Sequence, residues 1–228
     1  SKHNGMRSLK DVLNSYGYPE IKEDEEDQEG VRPEPGKIYY ATGDSVEKID
    51  HLPALEKLKE QGKEVLYLTE DIDEFTLKAM NDYEGHPFQS VLAEDFEAEE
   101  SGEEDSGDQE KQKEVFSKME EILGDEVVGV KKSRRLNHDA VTLVAQGDIS
   151  IDMEKTFMNQ PDGQFMKAQK VLEINTSHPV FAKLEELAGS DSGDFEKYTK
   201  ILYDQARLIE GLPIDDPVNF ARSIQDLM

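Results

Sequence analysis

The 228-residue sequence contains no cysteine and no long apolar run. Without cysteine the chain can form no disulfide, no thiolate zinc site and no cysteine nucleophile. No apolar stretch approaches the roughly 20 residues that a membrane-spanning helix needs. The first ten residues, SKHNGMRSLK, also lack the apolar segment of a signal peptide. We therefore predict a soluble, cytoplasmic protein.

Basic residues are scarce: 26 lysines and arginines stand against 52 acidic residues, and the formal net charge is −26. A protein that binds a nucleic-acid backbone needs clustered lysine and arginine. A negative charge of this size also disfavours contact with anionic membrane surfaces. The sequence therefore predicts no nucleic-acid partner and no membrane partner.

Common catalytic motifs are absent from the sequence. It has no Walker phosphate loop, no G-x-G-x-x-G, no G-x-S-x-G and no H-E-x-x-H. We therefore predict no catalytic residue, no cofactor-binding residue and no metal ligand, and we do not expect this chain to be an enzyme. The strand-to-helix turn TGDS at residues 42–45 could offer N–H groups to an anion. It leaves open an alternative, a ligand- or nucleotide-binding α/β enzyme.

One histidine has an unusual setting, in KVLEINTSHPVF at residues 170–181. Pro179 is tolerated in the first turn of a helix, where its missing N–H would have had no partner. Ser177 or His178 can then cap this helix. The capping role is the one we favour, and catalysis or metal binding by His178 is the alternative.

The first half of the chain alternates short strands and helices. A helix begins near Leu9, and KIYYATG, EVLYL and FQSVL are predicted strands. Strand–helix–strand–helix–strand predicts a small parallel sheet with helices packed on it, an αβα three-layer subdomain. The second helix of this unit has a predicted apolar face formed by Ile72, Phe75, Ala79 and Met80.

The second half is predicted to be α+β and to end entirely in helices. After a helix at 115–123, EVVGVKKS and AVTLVA alternate as strands, which we predict to form a hairpin or a sheet pair. The fold class is thus α/β plus α+β. Acidic, glycine-bearing stretches separate the units as solvated spacers, with an acidic protein-interaction module as the alternative. The predicted divisions are 1–36 (helix and acidic linker), 37–93 (αβα subdomain), 94–112 (acidic loop) and 113–228 (carboxyl-terminal domain).

The last two predicted helices, 195–210 and 217–228, carry more apolar surface than one sheet can cover. A symmetric partner that supplied the same two helices would close a four-helix bundle. An internally satisfied helical hairpin is the alternative. The predicted dimer residues are Tyr198, Ile201, Leu202, Ala206, Ile209, Phe220, Ile224, Leu227 and Met228.

A second apolar stripe lies in ISIDMEKTFMNQPDGQFM at residues 149–166. Methionine is flexible and polarizable, so an exposed stripe of this kind suits loosely folded binding partners. On the residues alone, core packing is the favoured alternative. The residues concerned are Ile149, Met153, Phe157, Met158, Phe165 and Met166.

Several segments together resemble the heat-shock protein 90 chaperone family. KIYYATGDS, EVLYLTEDIDEF and FQSV are similar to the end of its middle region. SRRL, DMEKTFMNQ, KVLEINTSHPV and ILYDQARLIEGLPIDDPVNFARSIQDL are similar to its carboxyl-terminal domain, in the family's order, and the bacterial HtpG branch is the most similar. The resemblance implies a fragment of an ATP-driven chaperone whose ATP-binding domain lies outside this chain.

The resemblance also implies cofactors and partners. The intact protein is expected to bind ATP and Mg, and this fragment to bind neither. The carboxyl-terminal helices are expected to form the homodimer, and the methionine-rich stripe to contact unfolded or partly folded client proteins. The fragment is then expected to provide dimerisation, transmission of domain motion and part of the client-binding surface.

Overall fold

The computed structural model describes residues 8–16, 36–96, 109–158, 166–190 and 193–227. The chain divides into two compact units. The first draws its residues from Ser1–His51 and Leu58–Val91, and the second from Leu52–Lys57 and Leu92–Met228.

The first unit contains a small sheet and several helices. Its elements are α1 (Leu9–Tyr16), β1 (Ile38–Thr42), α2 (Val46–Asp50), α3 (Glu56–Glu60), β2 (Leu66–Leu68), α4 (Asp71–Met80), β3 (Asp82–Tyr83) and β4 (His86–Ser90). The first two residues of α3 belong to the second unit. The strand order in the sheet is β2-β1-β4-β3. Strand β1 runs parallel to β2 and to β4, which confirms the predicted parallel sheet.

Strand β3 pairs with β4 in an antiparallel hairpin that the sequence did not predict. The two-residue loop has positive φ at Glu84 and at Gly85 (51° and 81°), the backbone of the tight turn that joins hairpin strands. The strand is only two residues long, and its partner contains Pro87, so neither propensity nor alternation indicates it.

The predicted apolar face of α4 is wrong. Ile72 and Met80 are 66% and 41% exposed, whereas Glu74 and Leu77 face the interior of the unit. Glu74 can be buried because Tyr40 donates a hydrogen bond to it at 3.4 Å and Lys78 lies 3.7 Å away. Phe75 is half-buried.

The second unit contains a three-stranded sheet and five helices among its described residues. These elements are α5 (Gln109–Leu123), β5 (Gly129–Lys132), β6 (Val141–Gln146), α6 (Ile151–Met158), β7 (Gln169–Ile174), α7 (Pro179–Ala188), α8 (Asp194–Ile209) and α9 (Pro217–Leu227). The strand order in the sheet is β5-β7-β6. The central strand β7 is parallel to β5 and antiparallel to β6.

The predicted hairpin of β5 and β6 is therefore wrong, because β7 lies between them. Four consecutive residues of β7, from Val171 to Ile174, are buried. A strand buried on both faces shows no alternation of apolar and polar residues, so its sequence does not distinguish it from other apolar segments. Helices α5, α7 and α8 contribute to the core of this sheet through Val115, Met119, Phe181, Leu184, Leu202 and Ala206.

A buried ion pair joins the loop after β5 to the central strand. Arg135 and Glu173, both 2% exposed, form two hydrogen bonds of 2.8 Å in a bidentate pair. Arg135 also donates to the main-chain oxygens of Ala93 and Phe96, at 3.1 and 3.3 Å. The pair therefore fixes the segment at the start of the second unit to the sheet.

Candidate functional site

The TGDS turn between β1 and α2 has a structural role in this geometry. Ser45 Oγ accepts the N–H of Lys48 at 3.2 Å, and the Asp44 carboxylate pairs with the Lys48 side chain. A Cβ atom at Gly43 would lie 2.9 Å from Cγ1 of Ile49, so the glycine permits close packing. Helix α2 has only five residues. Ser45 thus caps α2, and Gly43 allows Ile49 of this helix to pack closely against the turn.

His178 caps α7, as predicted. Its Nδ1 accepts the N–H of Val180 at 3.2 Å, and Pro179 occupies the first turn. In the described part of the chain, no group of three or more His, Asp or Glu side chains could hold a metal ion. No helix within these described ranges is long and apolar enough to cross a lipid bilayer.

Helix α8 divides the predicted dimer residues between the core and the surface. Leu202 and Ala206 lie in the core of their own chain, 4% and 0% exposed, so the structure removes these two from the predicted interface. Apolar residues surround much of α8, and spacing alone therefore did not distinguish the inner ones. Tyr203 is also buried, and its hydroxyl donates to the Glu126 carboxylate at 3.1 Å. Burial and this carboxylate raise the pKa of Tyr203.

The remaining apolar residues of α8 lie at the edge of the unit. Tyr198, Ile201 and Ile209 are half-buried, and Leu208 is 50% exposed. Ile201 and Leu208 are seven residues apart and so lie on one face of the helix. Leu208 is not among the predicted interface residues, although this spacing could have indicated it.

Helix α9 is the least buried helix of the second unit. None of the side chains described between Pro217 and Asp226 is buried. Phe220 and Ile224 are half-buried, and Val218 is 59% exposed. For Leu227 only the backbone is described, and Met228 lies outside the described residues. The half-buried and exposed apolar side chains of α8 and α9 are together named the tail surface: Tyr198, Ile201, Leu208, Ile209, Val218, Phe220 and Ile224.

A groove of about 540 Å³ lies between the end of α5, α8 and α9. Arg207 on α8 forms a bidentate pair with Asp215, at 3.0 and 3.3 Å, which joins α8 to the segment before α9. The hydrogen bond from Arg207 lowers the pKa of Asp215. The Asp215 side chain is 81% exposed, so this pair adds little stability. Ionic contacts at the surface thus contribute little to holding α9 in place.

Helix α6 places the predicted methionine-rich stripe partly inside the core. Met153 is 7% exposed and lies in the interior, and Ile149 is half-buried and packs against the core. Phe157 is half-buried, whereas Met158 and Met166 are 52% and 49% exposed. Phe165 lies outside the described residues. Among the residues of the stripe that the structure describes, the exposed ones are therefore Met158 and Met166.

Comparison with known sequences gives the family. The profile of the family described as Hsp90 protein matches residues 26–228, most of the chain. The chain belongs to the Hsp90 family. The chaperone protein HtpG of Natranaerobius thermophilus is 45% identical over 229 residues, which cover all of this chain and 34% of that protein.

Other HtpG proteins are similar to this chain to a comparable degree. HtpG of Alkaliphilus oremlandii is 47% identical over 193 residues, covering 84% of this chain and 31% of the relative. HtpG of Bacillus subtilis is 43% identical over 224 residues, covering 96% and 36%. The chain thus spans about a third of the length of the curated relatives that it matches.

Proposed function

We propose that this chain is part of an ATP-dependent molecular chaperone of the HtpG type, comprising the end of the middle region and the carboxyl-terminal dimerisation domain. Its role in the intact protein is to join two protomers and to present part of the client-binding surface. The observation that carries this proposal is the exposure of α9, whose described side chains include none that is buried.

The exposure of α9 favours a partner that covers this helix. A helix of 11 residues is marginal in water unless an apolar face packs against other structure. In the single chain, two residues of the tail surface stay largely uncovered: Val218 is 59% exposed and Leu208 is 50% exposed. A second copy with the same two helices would cover this surface symmetrically and form a four-helix bundle. A stable interface of this kind buries roughly 1,200–2,000 Å² in total, which two helix pairs can supply.

Sedimentation of the chain tests the dimer. We expect a dimer at micromolar concentration and a monomer when Phe220→Ser and Ile224→Ser are combined, because both side chains lie on one face of α9. The matched control combines Arg222→Ala with Gln225→Ala, two exposed positions of the same helix, and should remain dimeric. A monomeric unmodified chain, or a double variant that still dimerises, refutes the assignment.

The client surface is assigned to Met158 and Met166. Both are about half exposed, and methionine adapts to varied apolar partners. Replacing both by serine should weaken the suppression of aggregation of a partly folded test protein and leave the dimer intact. Replacing Met80, an exposed methionine of the first unit, is the control. Unchanged suppression in the Met158→Ser and Met166→Ser variant contradicts the assignment.

In the intact protein, dimerisation would raise the effective concentration of the two ATPase regions for each other. We assign the binding of ATP and Mg²⁺ to residues outside this chain, and we propose that the protein is cytoplasmic. Calorimetric titration of the chain with MgATP should therefore show no binding. Binding with micromolar affinity would place nucleotide chemistry within these residues and overturn this part of the proposal.

A further inference from the structure

Methionine carries all the sulfur of this chain, because the sequence has seven methionines and no cysteine. The methionines that the structure describes fall into two groups. Met119 and Met153 are buried, at 0% and 7% exposed, whereas Met158, Met166 and Met80 are 52%, 49% and 41% exposed. An oxidant in solution can therefore reach the thioethers of the second group directly, and those of the first group only after local opening of the fold.

Met158 and Met166 flank one fixed junction of the second unit. On α6, Glu154 accepts the N–H of Ala168 at 2.8 Å and the ammonium of Lys170 at 2.6 and 2.8 Å. Both charged side chains of this pair are largely buried, so solvent screens their attraction little. Met158 follows Glu154 by about one helical turn, and Met166 comes two residues before Ala168. The junction therefore holds the two exposed thioethers at the same end of α6.

The reaction that such a thioether undergoes with hydrogen peroxide is a two-electron oxidation. A lone pair of the sulfur attacks one peroxide oxygen, the S–O bond forms and the O–O bond breaks. The second oxygen leaves with both protons as water, so the sulfur is oxidised and the peroxide is reduced. The product is a sulfoxide, which is polar where the thioether was apolar.

We propose that Met158 and Met166 form an oxidation-sensitive site, at which hydroperoxides turn the client surface from apolar to polar and so release its partner. The inference rests on the proposed client surface and adds a regulation of that surface by oxidants. Neither side chain belongs to the core, so sulfoxide formation leaves the fold intact. Methionine sulfoxide reductases reduce both epimers of the product, which makes the change reversible.

Peptide mass spectrometry of the whole chain, sampled during exposure to hydrogen peroxide, tests the site. Met158 and Met166 should gain one oxygen atom at least about tenfold faster than Met119, because the buried thioether reacts only through local opening. Met119 thus serves as a reference within the same molecule. Equal rates at the three positions overturn the site, whether or not the chain binds clients.

Suppression of the aggregation of a partly folded test protein measures the consequence of oxidation. Suppression by the oxidised chain should fall to the level of the Met158→Ser and Met166→Ser variant, and sulfoxide reductases should restore it. The variant that combines Met158→Leu with Met166→Leu has no thioether at the site. Whatever suppression this variant has before peroxide should remain after it. Met80→Leu is the matched control and should lose suppression on oxidation as the unmodified chain does.

Two outcomes of this assay overturn the regulation: an oxidised chain that keeps its suppression, or a leucine variant that loses as much as the unmodified chain. A third outcome concerns the proposed function instead. If the untreated chain does not suppress aggregation, the client surface is wrong and its regulation fails with it, whereas the relative oxidation rates still decide the site.

Discussion

The buried pair of Arg135 and Glu173 allows a quantitative test of the second unit. Arg135→Met keeps most of the length of the side chain and removes the charge and its hydrogen bonds. Glu173 would then remain on the central strand β7, 2% exposed, with Ser133 donating to it at 2.9 Å. Lys131 lies 3.6 Å from the same carboxylate and compensates only in part.

The expected loss follows from this geometry. Removing one member of a buried ion pair costs about 3–5 kcal/mol, because the other charge stays buried without its partner. The guanidinium also lies 5.1 Å from the centre of the Phe96 ring and donates to two main-chain oxygens nearby. The segment 93–96 therefore loses part of its attachment, while Lys131 still donates to the main-chain oxygen of Glu94 at 3.0 Å and Ala93 stays paired with Ala145.

Thermal and urea unfolding, followed by circular dichroism, measure this loss. At about 2–4 °C per kcal/mol for a unit of this size, Arg135→Met should lower the Tm of the second unit by roughly 6–20 °C. Arg134→Met is the matched control, since Arg134 is exposed on the same loop, and should change stability by less than about 0.5 kcal/mol. Combining Arg135→Met with Glu173→Leu should recover much of the loss, because no charge is then left unpaired. A loss below about 1 kcal/mol in Arg135→Met, or a double variant less stable than the single one, refutes the reasoning.

Two further predictions concern helix ends and a second buried pair. His178→Ala removes the cap of α7 and should cost about 1 kcal/mol in thermal unfolding, whereas His178→Asn should keep most of it; equal losses would mean that capping is not the role. Lys170→Met leaves Glu154, 5% exposed, with one hydrogen bond from the N–H of Ala168 at 2.8 Å. We expect a loss of about 3 kcal/mol, and an unchanged Tm would show that this carboxylate does not need Lys170.

Local signals in the sequence predicted much of the fold. Apolar residues at helical spacing predicted α1, α5 and α7, and Pro179 after His178 predicted both the start of α7 and its cap. Ser45 caps α2 at a strand-to-helix turn, a position that favours serine. These features depend on residues within one or two turns of each other, so the sequence contains the information directly.

Features that depend on distant contacts were not predicted. Glu74 faces the interior because Tyr40, on another element, donates to it, and helical spacing alone cannot reveal that contact. The central place of β7 depends on β5 and β6, which lie on either side of it. The same limit applies to the candidate site. The predicted dimer interface included Leu202, which is buried, and omitted Val218, which is exposed, because only packing decides which apolar residues the chain itself covers.

The large negative charge of the chain opposes the proposed dimerisation. Two copies with a formal charge of −26 each repel one another, and association must overcome this repulsion. At physiological ionic strength charges farther apart than about 8 Å are largely screened, so the repulsion depends mainly on groups near the contact. Near that surface Arg207 is paired with Asp215 and Lys200 with Glu196, both within one chain. Apolar burial on the tail surface is then the main attraction, and dimerisation should strengthen as salt is added. If sedimentation at rising salt shows dissociation instead, ion pairs between the two chains, rather than apolar contact, hold the dimer together.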